Sequence, residues 1–183
     1  MAEKTNADAS SPKFSTNAIY LARTAQVNTL TLSQMADQKA SILIGATFVV
    51  FSLSVTKLIG TQVTWSMVAL ALTAFIASLF AVLSVLPTAK ASSLDDPELN
   101  LLFFSNFARL EEEEWLDRLV REFQDDEAVL RLMMRDVHQN GRVLYQRKFR
   151  FLTLAYRAFL AGLLVTIVIF LAENAGALST MTA

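Results

Sequence analysis

Two charged residues, Asp37 and Lys39, sit in "MADQKASILIG" (residues 35–45), directly ahead of a long apolar run. An acid and a base at such an edge can form a functional site, or can mark where a helix passes from water into lipid. Residues two apart on a helix do not face each other, so the two are not a pair. Asp37 instead lines up with Ser33 and Ser41. The chain has no cysteine and one histidine, His138. That excludes disulfides, thiolate zinc sites and cysteine nucleophiles, together with most metal sites and the usual acid–base sets. No GxGxxG, P-loop, HExxH or GxSxG occurs. "EEEE" (111–114) reads as a solvated helix start favoured by the helix dipole, the alternative being an acidic cation site. The chain therefore reads as a non-enzyme with no cofactor and no metal.

The elements that must position these residues are mostly apolar. Of 183 residues 54% are hydrophobic and 18% charged, against about 25% charged in soluble proteins. The formal net charge of −1 makes a nucleic-acid polymer an unsuitable partner. No charge occurs from Ala40 to Thr56, nor from Leu58 to Ala89. This predicts transmembrane helices over about 40–58 and 65–86, joined by "IGTQVT" (59–64). The second is ~33 Å long, enough for a hydrocarbon core of about 30 Å. Trp65 stands where an interfacial aromatic belongs, and Pro87 ends the helix. A third span covers about 151–172, with Arg157 snorkelling toward headgroups. Basic residues crowd the N-terminal segment and the block between spans two and three. The positive-inside rule then puts the N-terminus and 87–150 in the cytoplasm and the C-terminus outside.

Residues 1–14 read as a disordered lead and 173–183 as a short tail, around a single membrane domain over 15–172. No Gly or Pro occurs between Lys13 and Gly45, so a helix from about Ser15 runs unbroken into the first span, with a stripe of Ile19, Ala22, Val27, Leu30 and Ala36. Leu116, Leu119, Val120 and Phe123 form a stripe on the helix that "EEEE" opens. Asp125 or Asp126 caps one further helix to Ala172, about 70 Å long, with Gly141 its only break risk. The fold class is an all-α membrane protein: three transmembrane helices whose long members extend into a cytoplasmic helical stalk (87–150). Small-residue faces (Ala69, Thr73, Ala77, Ala81; Ser41, Gly45; Ala158, Gly162) let helices approach closely, within one monomer or between monomers.

Three stretches in order, "ADQKASILIG", "SVLPTAK" with "LLFFSNFARLEEEEWLDRL", and "RDVHQNGRVLYQRKFRFLTLAYRAFLAGL", resemble the transmembrane Pycsar effector family (PycTM), from about Ser15 to Ala172. Asp37, Lys39 and Pro87 fall in these signatures. Since a mere lipid anchor would not explain a signature residue, the resemblance implies that Asp37 meets a partner on another helix, a basic residue near Arg147–Arg150. The resemblance implies a bacterial inner-membrane effector of anti-phage defence. A neighbouring pyrimidine cyclase would make cyclic CMP or cyclic UMP on infection, and the effector would sense it and disrupt the membrane. A cyclic phosphodiester needs guanidinium or ammonium groups, and a pyrimidine needs an aromatic or guanidinium face. Arg109, Arg142, Arg147 and Lys148, with Phe103 and Phe104, are the groups available. Basic residues at a cytoplasmic interface also serve as lipid and topology anchors. The expected partners are membrane lipid, the cyclic nucleotide and further copies of the chain as a homo-oligomer. The other reading is a constitutive scaffold subunit whose stalk docks a protein partner.

Overall fold

The computed structural model describes residues 14–15, 17–60, 63–87, 92–96 and 98–175. The expected lead, apart from Phe14, and the tail beyond residue 175 lie outside them. The described residues contain helices and no strand: α1 (Ala18–Gly60), α2 (Trp65–Val85), α3 (Phe104–Phe107), α4 (Glu112–Glu122), α5 (Asp126–Val143), a π-helical segment (Leu144–Phe149) and α6 (Arg150–Glu173). Three stretches are long and apolar enough to cross a membrane: Ala18–Gly60, Trp65–Val85 and Asp126–Glu173. The chain divides into two compact units, the first within Met1–Asn28 and Ala91–Gln139, the second within Thr29–Lys90 and Asn140–Ala183.

In the second unit the packing groups are small. α2 buries Ser66, Ala71, Ala74, Ala77, Ala81 and Ser84. Ala81 and Ala155 meet Leu43 in one cluster, and Ala36 and Ala40 meet Leu144 and Leu152 in another. At Gly162 of α6 a Cβ would overlap the Cβ, Cγ2 and Oγ1 of Thr73 on α2, so only glycine allows this approach. Several hydroxyls turn back on their own helices: Thr47 donates to Leu43 O at 2.8 Å, Ser54 to Val50 O at 2.7 Å and Thr73 to Ala69 O at 2.8 Å. Large residues such as Leu53, Leu72, Phe75 and Leu164 are exposed. That is the expected pattern where the surroundings are lipid, since tails are as apolar as leucine and only close packing distinguishes the interior. α2 stops at Leu86, which turns extended (φ −60°, ψ 131°) because the following Pro87 disfavours an α conformation there.

The first unit packs as a water-soluble domain does. Leu99, Leu101, Leu119 and Leu132 are its core, flanked by Leu94, Leu102, Leu110 and Trp115. The Trp115 indole N–H donates to Leu101 O at 2.9 Å. The side chain of Asp125 caps α5, accepting from Glu127 N at 3.2 Å. α4 opens on Glu112, Glu113 and Glu114, with Glu111 before it making no side-chain cap.

Two local expectations are corrected. Leu116, Val120 and Phe123 are exposed. The indole bond turns the Trp115–Leu119 face of α4 inward instead. Along α1, Ile19, Val27 and Leu30 are exposed while Ala22 and Ala36 are buried. Among the sheltered positions, Ala22, Gln26, Thr29, Ser33, Ala36, Ala40, Leu43, Thr47, Val50 and Ser54 form one continuous line. They alternate by four and three, the heptad spacing of a coiled-coil seam, but are filled mainly by small and polar residues. Gly141 stays helical, and the long final helix changes winding downstream of it, at Leu144–Phe149.

Candidate functional site

Asp37 finds its partner within the second unit. Lys148 Nζ lies 2.8 and 2.6 Å from its two carboxylate oxygens and 2.8 Å from Ser33 Oγ. Ser33 and Asp37 are four apart, hence on one face of α1. Lys148 belongs to the π segment. A π turn holds one more residue than an α turn and re-aims the side chains it contains. The pair is partly sheltered, with the lysine side chain 23% and the aspartate 45% exposed. Lys39 points elsewhere. Its carbonyl accepts from Tyr156 Oη at 3.4 Å, and the residue lines a small groove with Phe149, Tyr156 and Arg157.

Lys148, expected to bind a ligand, is thus engaged by Asp37. Arg142 is exposed and Arg147 half-buried; among the described residues neither has an ion pair or side-chain hydrogen bond. Arg147 lines a groove of ≈ 870 Å³ with Tyr145, Arg150, Phe151, Leu154 and Arg157.

The other expected residues belong to the first unit. Arg109 is exposed and its guanidinium donates to Ser92 O at 3.0 Å. Phe103 is buried and Phe104 is 71% exposed, edge-on to Phe107 with centroids 5.8 Å apart. Only Phe104 therefore offers a ring face to a solute. Between them and the leucine core lies a polar network that periodicity did not reveal. Asn106, fully buried, accepts from Ser92 N at 2.9 Å and donates to Asn100 O at 3.1 Å. Asn100 donates to Gln139 Oε1 at 2.9 Å and to Asp136 Oδ1 at 3.4 Å. Gln26 donates to Asp136 Oδ2 at 3.3 Å. The signal for it is the asparagine inside "LLFFSNF", a polar residue where the flanking apolar side chains leave no solvent.

At the other end of the spans, Glu173 stands one residue past the third apolar run. Its carboxylate accepts from Trp65 N at 2.7 Å, and from Ser66 Oγ at 2.7 Å and Ser66 N at 3.4 Å. Thr64 makes no side-chain cap, so Glu173 serves as the N-cap of α2 from another helix. The Ser66 hydroxyl above all, and then the two backbone N–H groups, hold this carboxyl below the ordinary carboxylate range. The cap is complete above that ordinary range and is lost as pH falls through the lowered value.

Such a fold defines an all-α protein with three membrane-spanning stretches. The Pycsar effector protein domain (PycTM) matches residues 20–173, and the chain belongs to that family. No curated protein and no solved structure matches it. Membership gives the chain a role in Pycsar anti-phage defence and a link to a cyclic nucleotide signal made by a cyclase. The three spans fit a membrane protein.

Proposed function

We propose that the protein is a membrane effector that senses cyclic CMP or cyclic UMP and, by oligomerising, disrupts the bacterial inner membrane. It does so without enzymatic chemistry, its N-terminus in the cytoplasm and its C-terminus outside. The observation that carries this reading is Arg142 with Arg147. Both are cationic and unpaired among the described residues, and they adjoin the third span in a chain of a family tied to cyclic nucleotide signalling. They are five residues apart. In an α-helix that separation turns side chains about 140° away from each other, whereas π winding, with its i→i+5 bonds, brings such residues toward one face. A phosphodiester held by both guanidinium groups therefore favours the π form of 144–149, with Tyr145, 76% exposed, offering a ring to the pyrimidine. A ligand shifts a conformational balance only through such a difference in affinity. Lys148 contributes through Asp37. In the first unit Arg109 and Phe104 are the corresponding solvent-facing groups.

The test is dye leakage from proteoliposomes carrying the purified full chain, on addition of cyclic CMP or cyclic UMP. Leakage with one of them, and binding weakened at least about tenfold by Arg142→Ala, supports the proposal. Neither leakage nor binding with either nucleotide would instead favour the constitutive scaffold. Normal binding by Arg142→Ala and Arg147→Ala would remove the assigned residues.

A further inference from the structure

From Val137 to Ala172 the chain has no Asp or Glu, but has Arg142, Arg147, Lys148, Arg150 and Arg157. Lys148 is neutralised by Asp37. The three arginines at the mouth of the third span, Arg147, Arg150 and Arg157, have no ion pair or side-chain hydrogen bond among the described residues, and all line the same groove of ≈ 870 Å³. That volume is in the range of small-molecule sites. Every residue lining it comes from the single stretch Tyr145–Arg157, so one wall belongs to the protein and the other to whatever surrounds it.

Arg150, Leu154 and Arg157 recur at four and three residues, one helical face. Arg150 and Arg157 are about 10 Å apart along the axis. The interfacial layer is only about 5–7 Å deep on each side of the hydrocarbon, so Arg157 starts below it and reaches headgroup depth by extending its side chain back along the helix. Beyond Arg157, Leu160 and Leu164 are exposed and continue the helix as an apolar surface. Lys39 adds a further cation to a second groove that Arg157 also lines. Guanidinium groups at headgroup depth, followed by exposed leucines, match a molecule with an anionic phosphodiester at one end and acyl chains at the other. A free cyclic nucleotide carries the same phosphodiester but has nothing to lay on the leucines.

We infer that the Arg150–Arg157 part of this groove is a binding site for the phosphodiester headgroup of an anionic phospholipid, held by Arg150 and Arg157, while Tyr145 and Arg147 at its other end are left to the nucleotide. The site does not depend on nucleotide sensing.

Native mass spectrometry of the detergent-solubilised full chain tests this, with phosphatidylglycerol and phosphatidylcholine of identical acyl chains as probes. The wild type should retain phosphatidylglycerol in preference to phosphatidylcholine. Arg150→Gln with Arg157→Gln should lower that retention by about fivefold per arginine and leave phosphatidylcholine unchanged. Arg23→Gln with Arg121→Gln removes the same charge elsewhere and should change neither. Helicity by circular dichroism must match wild type for each variant. Should the glutamine pair unfold, Arg150→Lys with Arg157→Lys, which keeps charge but loses the planar fork, should still weaken retention. Equal retention of the two lipids by wild type, undiminished retention by the Arg150 and Arg157 variants, or an equal loss in the control pair overturns the inference. Displacement of phosphatidylglycerol by excess cyclic CMP or cyclic UMP would reassign the groove to the nucleotide. Loss of nucleotide-triggered leakage with the lipid preference intact would break the functional proposal and leave this one standing.

Discussion

In the first unit Arg109, Arg118, Arg131 and Arg135 each reach a carbonyl or a carboxylate: Ser92 O, Glu114, Glu127 and Glu98 respectively. In the second, Arg142, Arg147, Arg150 and Arg157 reach none among the described residues. The interiors differ in the same way. One is a leucine cluster closed by buried amides; the other is mostly alanine, serine and threonine with one glycine and a few leucines, and Thr47, Ser54 and Thr73 bond back to their own helices. Water drives large apolar side chains together and requires buried polar groups to be paired. Lipid supplies no such drive, so helices approach mainly where side chains are small, and these four arginines, unlike Lys148, are left for anions that come from outside the chain. The contrast identifies the solvent each unit is built for.

The sharpest way to break this contrast is Asn106→Ala. It leaves the Ser92 N–H without its partner and the Asn100 C=O with only the Phe103 N–H, 3.4 Å away, and should cost about 2–3 kcal/mol. Hydrogen exchange should show the loss in 92–139, with 140–173 still protected; protection lost equally in both would mean that the two units unfold as one. Next, Gly162→Ala should cost about 1–3 kcal/mol through overpacking against Thr73, measured as the melting temperature in detergent, with Thr73→Ala restoring part of it. Gly45→Ala, whose Cβ would meet nothing within 4 Å, should leave the monomer unchanged. Any destabilisation there would place a second copy of the chain on that face. A smaller loss than that of Gly162→Ala is expected from Asp37→Asn, about 1 kcal/mol because the pair is only partly sheltered. A double-mutant cycle with Lys148→Met should give a coupling of that order, and a coupling near zero would reduce the pair to a surface contact.

The three spans were legible because each is an uncharged run of membrane length, and the unbroken first helix because nothing in it stops a helix. The partner of Asp37 was narrowed to a few basic residues because the resemblance placed Asp37 in a signature that a lipid anchor alone would not explain. The seam of α1 was hidden by its composition: large apolar residues mark the buried face in water, but here Val27 and Leu30 face outward and Ala36, Ala40 and Thr47 inward. The π segment carries no Gly or Pro to announce it. It is one residue of slack, set by what Lys148 and Leu144 contact rather than by local propensity. Asn106 was visible as a letter but not as the centre of a network, because its partners come from loop backbone that no periodicity describes.

The carboxylate that caps α2 lies 108 residues further along the chain than the Trp65 N–H it receives. A ribosome therefore delivers the second spanning helix with its first amide groups uncapped, and the group that completes it arrives only at the end of the third. Any nascent chain halted before Glu173 holds a second helix that is present but open at its start. The order of synthesis thus makes the closing of α2 the last step in building the membrane part of the protein.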